Sequence, residues 1–375
     1  MKYSIVATCA FGIEGILKEE IINLGYKDIK VDNGKVVFEG EERDIARCNI
    51  WLRTADRIFI KITEFKAETF EELFQGTKAV NWGDILPKDA KIHVVGKSVK
   101  SKLFSVSDCQ AIVKKAIIES MKNKYNIEWF EETGAEYKIE VSLLKDMATI
   151  SLDTSGIGLH KRGYRQLSGD APLRETLASA LVYISKWDPK RVLADPLCGS
   201  GTILIEAAMI GKNIAPGINR QFAMENWPNF NKNVWIEERE LAKSKMNEEE
   251  FLLLGSDIDG KILKVARENA KKAGVDKYIA FQKLPVEEFR SRKKYGVIIT
   301  NPPYGERLME KREVEKLYRK MGEVFSKLDT WSFFVLTAHP EFQRYFGKKA
   351  DKNRKLYNGK LLCYYYQYFG PLPKK

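Results

Sequence analysis

The chain has 375 residues, 44% of them hydrophobic and 11% aromatic, which is enough for two or three cored domains at the usual ~100–200 residues each. No run approaches the ~18 apolar residues of a membrane span and the N-terminus lacks the apolar stretch of a signal peptide, so a soluble, cytoplasmic protein is expected. The net charge of +12 is uneven: residues 1–150 carry 23 Lys and Arg against 24 Asp and Glu, whereas residues 151–375 carry 40 against 27, which favours a polyanionic partner for the C-terminal part.

Residues 3–8 alternate like a strand, and Ile13, Ile16, Leu17, Ile21 and Leu24 then share one helical face that Gly25 ends. A strand at 36–38, a helix at 42–55 and a strand at 57–62 complete a ferredoxin-like α+β unit, residues 1–64. A second α+β unit follows over 65–155. It has a strand at 91–95, in which His93 is an ordinary strand residue, and a capping box Ser107-Asp108-Cys109-Gln110 that opens a helix. Ile112, Ala116, Ile117 and Met121 form the core face of that helix, and strands at 137–141 and 148–152 follow. Residues 156–172 replace apolar periodicity with glycine and basic residues and form the expected linker. Its Lys161, Arg162 and Arg165 are candidate contacts to nucleic-acid phosphates, with a solvated basic loop as the alternative.

From Leu173 onward helices at 173–186, 202–210, 260–273 and 311–327 alternate with strands at 191–195, 251–255, 278–283, 295–300 and 333–336. That alternation predicts a doubly wound, mostly parallel α/β sheet over 173–375. Asn358-Gly359 predicts a terminal hairpin that adds an antiparallel strand. The polar insertion at about 211–250 shows no chemistry. Lys348, Lys349, Lys352, Arg354 and Lys355 are placed between the last helix and the hairpin, as a basic cluster that lines the entry of a polyanion or is simply solvated. Five dispersed cysteines (Cys9, Cys48, Cys109, Cys198, Cys363) and three histidines (His93, His160, His339) suggest neither a disulfide framework nor a metal site.

Three signals fall at C-terminal strand ends, where open α/β sheets bind ligands. Asp195-Pro196-Leu197-Cys198-Gly199-Ser200-Gly201-Thr202 is a glycine turn running into a helix, and it offers backbone N–H groups to a ligand. It lacks both the full dinucleotide fingerprint and a phosphate-cradling lysine, so an adenosyl ligand without pyrophosphate is expected. After the second strand, Asp257, beside Ile258, is placed to bind ribose hydroxyls, while Asp259 is expected to cap the next helix. The run 297–300 ends in Asn301-Pro302-Pro303-Tyr304, where two prolines stiffen the loop and remove two backbone donors. The Asn301 amide oxygen and the Pro302 carbonyl can accept both protons of an exocyclic NH2, with the Tyr304 ring stacked on the base.

With these motifs the chain resembles the class I S-adenosylmethionine-dependent methyltransferases, and within them the bacterial THUMP-domain RNA guanine-N2 methyltransferases. The resemblance spans 7–14, the linker 159–165, the stretch 171–178, the glycine turn 195–202 and the longer motif 301–307. It implies an N-terminal ferredoxin-like domain, a THUMP RNA-binding domain and a C-terminal Rossmann-like methyltransferase. It also implies S-adenosyl-L-methionine as cofactor and methyl transfer to a guanosine N2 in RNA, 23S ribosomal RNA first. Asp195, Gly199 and Gly201, with Leu197, Ser200 and Thr202 in the same turn, would face the methionine moiety. Asp257 and Ile258 would face the nucleoside, and Asn301, Pro302 and Tyr304 the target. The family's acid after the third strand is replaced by Lys283-Leu284-Pro285-Val286, which leaves adenine recognition to backbone groups or to a neighbour such as Glu287. Rival readings are an adenine-N6 DNA or protein glutamine methyltransferase, a transfer-RNA guanosine-N2 methyltransferase, and an inactive RNA-binding assembly factor.

Overall fold

In β1 (Tyr3–Thr8) Ile5 and Ala7 point into the core, and α1 (Glu14–Asn23) adds Leu17 and Ile21 to it at i, i+4 spacing. The computed structural model describes residues 2–165, 173–305 and 308–373. Residues 166–172 of the expected linker, with Ala171 and Pro172, and residues Glu306 and Arg307 of the longer motif lie outside the described residues. β2 (Lys30–Asp32) and β3 (Lys35–Gly40) form a hairpin about Asn33-Gly34. All of β2 is exposed and has no apolar alternation, so the Asn-Gly turn is the one sequence signal that announces it. α2 (Glu42–Trp51) stops four residues short of its expected end, where Leu52 turns extended.

β4 (Arg57–Lys66) decides the architecture of the N-terminal half. Residues 57–61 pair with β1 on one side, and residues 59–66, with a bulge between Lys61 and Thr63, pair with β7 (Met147–Asp153) on the other. With β5 (Lys91–Val99) and β6 (Glu136–Leu144), the two expected units become halves of one seven-stranded sheet, ordered β2-β3-β1-β4-β7-β6-β5. β4 therefore runs across the expected boundary at residue 64. Two helices that the apolar periodicity did not predict, α3 (Phe70–Lys78) and α4 (Trp82–Ile85), connect β4 to β5. α3 opens on a Thr69–Glu72 capping box. α5 (Val106–Tyr125) starts earlier than expected, with Ser105 at its cap, so Ser107 lies inside the first turn. Ala116, Ile117 and Met121 are fully buried on it, as its periodicity requires.

The second sheet follows α6 (Glu175–Ser185). Its elements are β8 (Leu193–Asp195), α7 (Thr202–Gly211), α8 (Lys232–Ser244), β9 (Leu253–Asp257), α9 (Gly260–Lys272), β10 (Ile279–Lys283), β11 (Val297–Thr300), α10 (Leu308–Phe325), β12 (Ser332–Thr337), α11 (Phe342–Phe346), β13 (Lys352–Asn358) and β14 (Leu361–Tyr368). The strand order is β10-β9-β8-β11-β12-β14-β13, parallel through β12, with β14 antiparallel to β12. The hairpin thus contributes two strands, not one. β8, β11 and β12 are buried throughout, as strands covered on both faces must be.

The insertion has a mechanical role: it fastens the two sheets together. Arg47 on α2 forms a bidentate pair with the fully buried Glu238 on α8 at 3.0 and 3.1 Å, and Arg43 pairs with Glu237. The Trp227 ring stacks on Tyr137 of β6 with centroids 4.6 Å apart, and its Nε1 donates to the Glu136 carbonyl at 3.0 Å. One apolar cluster runs from Ile5 through Trp227 to Val297, so the halves share a core. Among the described residues no helix is long and apolar enough to cross a membrane.

Candidate functional site

The sheet order places β8 between β9 and β11, because the chain moves outward to β10 and then returns to β11 on the other side of β8. At such a switch point the loops leaving the strand ends diverge and open a crevice. Hydrogen bonds tie the three loops that carry the sequence signals. Thr300 Oγ1, at the end of β11, donates to Asp195 Oδ1 at 2.7 Å, and the Leu197 N–H donates to the same oxygen at 3.2 Å. The Gly199 N–H donates to Asp257 Oδ2 at 2.9 Å, and the Cys198 N–H donates to the Ser256 carbonyl, also at 2.9 Å.

Gly199 and Gly201 hold φ of +51° and +80°, in the left-handed region. A Cβ built on Gly199 would meet nothing within 4 Å, so its backbone borders open space, while one on Gly201 would come within 3.1 Å of the Phe281 ring. The first glycine leaves room for a ligand and the second lets helix α7 pack on the sheet. Asp257 accepts the Asp259 N–H through its other oxygen at 3.0 Å, and Ile258 beside it is 66% exposed at the mouth. Asp259 caps α9 by accepting the Lys261 N–H at 2.8 Å, as expected. Open backbone space, a fixed carboxylate and an exposed apolar side chain together fit an adenosyl group.

Asp195 is almost wholly buried, and that burial pushes its carboxyl up to about 7. The Thr300 and Leu197 bonds partly counter the shift, while the charge of Asp257 adds to it. Glu287, the acidic neighbour named for adenine, lies in a 3-10 turn and pairs with Lys320, which holds its carboxyl below the usual range.

In the tetrapeptide, the Tyr304 hydroxyl donates to Asn301 Oδ1, and the buried Cys363 thiol of β14 donates to that hydroxyl at 3.8 Å. Burial pushes the phenol upward, so it stays protonated and remains a donor. The ring is thus held against the loop, and Asn301 Oδ1 keeps its second lone pair. The loop's other anchor is Tyr318 on α10, whose hydroxyl donates to the Pro303 carbonyl at 2.8 Å and lies 2.9 Å from Thr337 Oγ1. Among the described residues the Pro302 carbonyl accepts no hydrogen bond. Neither Thr300 nor Tyr318 was named from the sequence. Thr300 could have been found as the one polar residue closing a wholly apolar strand, whereas Tyr318 is far from the loop in sequence and gives no signal.

The linker arginines are corrected. Arg162 is buried, with its guanidinium donating to the Leu159 carbonyl at 2.6 Å and to the Arg53 carbonyl, and lying 3.5 Å from Glu206. Arg165 donates to the Leu173 carbonyl at 3.0 Å and to Thr202 Oγ1, and faces Glu175 at 3.5 Å. Both charges are already neutralised inside the protein and cannot meet a phosphate. Lys161 is exposed and stays available, as do Lys348, Lys349 and Arg354. Lys352, Arg354 and Lys355 belong to edge strand β13 and not to the connection before it, where lysines also discourage strand addition.

Comparison with known proteins is consistent with this geometry. Residues 162–367 match the family described as RMKL-like, methyltransferase domain, residues 4–59 the RlmL ferredoxin-like domain, and residues 67–153 the THUMP domain. The chain is 53% identical over 372 residues, 98% of its length and 96% of the relative's, to the Bacillus subtilis (strain 168) protein named "Putative RNA methyltransferase YpsC". It is similar to a Listeria monocytogenes str. 4b F2365 structure named "predicted N6-adenine-specific DNA methylase", at 51% identity and TM-score 0.94 over 99% of this chain and 97% of that one. The structure of SMU.472 complexed with SAH is 45% identical, with TM-score 0.94 over 100% of this chain and 99% of that one.

Proposed function

The chain belongs to the RMKL-like methyltransferase family and is an S-adenosyl-L-methionine-dependent methyltransferase of the THUMP-bearing, RlmL type; from that premise we propose that its substrate is RNA and its target the N2 amine of a guanosine in 23S ribosomal RNA. The observation that carries this reading is the Thr300–Asp195 bond, which fixes the acceptor loop beside the glycine-lined space. The cofactor, when bound, supplies a methyl group activated by a sulfonium. Asp257 and Ile258 would border its nucleoside, and Asp195 and Gly199 would lie toward its methionine end.

Asn301 Oδ1 and the Pro302 carbonyl accept the two N–H bonds of a planar amine and so hold its lone pair in line with the methyl group. As positive charge develops on the nitrogen the same two oxygens stabilise it, and the stiff loop has little to reorganise. A guanine in a stacked helix cannot present N2 to this loop, so the target is unpaired or extruded, at a cost of a few kcal/mol. Release of Asn301 by the Tyr304 hydroxyl would free that ring to stack on the base.

The test is to incubate the purified full chain with labelled cofactor and with RNA from cells lacking the gene, then analyse nucleosides by mass spectrometry. N2-methylguanosine in 23S RNA is expected, and label confined to transfer RNA would move the target. A second reading, adenine-N6 methylation of DNA, draws on the name of the Listeria relative and on a tetrapeptide that suits any planar NH2. The large N-terminal sheet has no evident task on duplex DNA, and N6-methyladenosine as the sole product would overturn the guanosine assignment.

A further inference from the structure

We propose that the face where the N-terminal loop 9–12 meets the terminal hairpin is a platform for single-stranded RNA, on which Phe11 stacks a base flanking the target and Arg174, Lys161 and Lys355 hold its phosphates. The inference rests on the RNA reading above.

Phe11 is 55% exposed, yet it is not on a loose tip. Its ring stands edge-on to Tyr357 of β13, with centroids 6.2 Å apart. The next residue, Gly12, has φ of +93° and lies so close to β13 that a Cβ there would come within 2.5 Å of the Lys355 carbonyl oxygen. An exposed ring on a fixed seat loses little conformational freedom when a base stacks on it.

Cations gather on the same face. Arg174 is exposed, its backbone N–H lies 3.5 Å from Asn358 Oδ1 at the hairpin tip, and its guanidinium has no hydrogen bond or ion pair among the described residues. Lys161 and Lys355 are exposed as well. His160 reports the resulting field: burial, then Arg174, Lys161, Arg162 and Arg220, hold its imidazole down at about 4, so it stays neutral. Two nearby carboxylates, Glu14 and Asp56, offset part of this field, and both are engaged by the protein itself. Glu14 accepts the Gly12 and Gly34 N–H groups at 2.9 and 3.0 Å, and Asp56 is turned inward onto the Thr176 hydroxyl at 3.1 Å.

The platform is also joined to the catalytic loop. Cys363, which donates to the Tyr304 hydroxyl, is paired across the hairpin with Leu356, the residue next to Tyr357. A strand whose target base enters at Tyr304 would therefore pass over this face. One exposed ring among cations that have no ion-pair partner among the described residues suits a polyanion with stackable bases.

The test uses the full chain, 23S RNA transcribed in vitro, and four variants: Phe11→Leu, Phe11→Trp, Arg174→Gln, and Lys271→Gln on the exposed side of α9 as control. Leucine keeps an apolar seat but cannot stack, so Phe11→Leu should weaken RNA binding about tenfold while Phe11→Trp restores it. Arg174→Gln should lower the slope of log affinity against log salt by about 0.7. Calorimetric affinity for S-adenosyl-L-methionine should match wild type in all four, which reports an intact fold. If wild type methylates RNA and Phe11→Leu and Arg174→Gln bind it like the control, the platform is wrong and the RNA reading stands. A wild type that neither binds nor methylates RNA overturns both.

Discussion

The seam between the two sheets and the crevice at the strand ends are both crowded with buried polar groups, but they treat hydrogen-bond acceptors in opposite ways. In the seam the buried carboxylates are matched, while several donors, Tyr137 Oη, Arg162 Nε and Trp235 Nε1 among them, have no partner among the described residues. Glu206 receives Tyr164 at 3.0 Å along with Ser179 and Arg162, and Glu238 takes both arms of Arg47. In the crevice, among the described residues, acceptors are fixed but left partly free: the Pro302 carbonyl and the second lone pair of Asn301, near the open space at Gly199. Buried carboxylates saturated by side chains hold the architecture, and fixed acceptors with open lone pairs mark a place where a ligand's N–H groups can complete the set.

The contrast can be broken most severely at the seam. Arg162→Ala removes the charge partner of buried Glu206 and should cost about 3–5 kcal/mol in denaturant unfolding. A variant of unchanged stability that loses RNA affinity would return Arg162 to the phosphate-binding role denied to it above. In the crevice Asn301→Ala should lower kcat by about 10²–10³ while leaving cofactor affinity intact by calorimetry. Full turnover would remove the amine-holding mechanism.

A third experiment uses pH. The Asp195 carboxyl titrates at about 7 when folded against 3.8 when exposed, so its linked contribution to stability is full below 3.8 and is lost as pH rises through about 7. Cofactor binding should run the other way if the carboxylate holds the ammonium of the methionine moiety. Affinity should then rise about tenfold from pH 6 to 8 and become flat in Asp195→Asn. The smallest effect is expected at Lys348 and Lys349, where replacement by Gln should lower the salt slope of RNA binding by about 0.7 per residue with no change in cofactor affinity.

Much of the second sheet was legible because each strand is short, apolar and followed by a turn or helix, and because ligand chemistry in this architecture sits at strand ends. Asp257, Asp259, Gly199 and Asn301 could be placed from local context alone. The capping box at 107–110 failed by two residues because a Ser three residues before an acid or amide also occurs inside helices. β2 and α3 were missed because neither presents an apolar stripe long enough to register. Arg162 and Arg165 were misjudged because sequence shows charge but not what that charge faces.

What the sequence by itself determined is the alternation that builds the second sheet, the glycine turn, and the stiff Asn-Pro-Pro-Tyr loop, all of which follow from local backbone preference and periodicity. Only the tertiary structure decided that β4 fuses two α+β units into one sheet, that the featureless insertion clamps the halves together, and that Thr300 ties the acceptor loop to the cofactor loop. Those outcomes depend on pairings between residues some 90 to 200 positions apart, as in Phe59–Asp153, Thr300–Asp195 and Arg47–Glu238. No local pattern encodes which distant partner a strand edge, a hydroxyl or a guanidinium will meet.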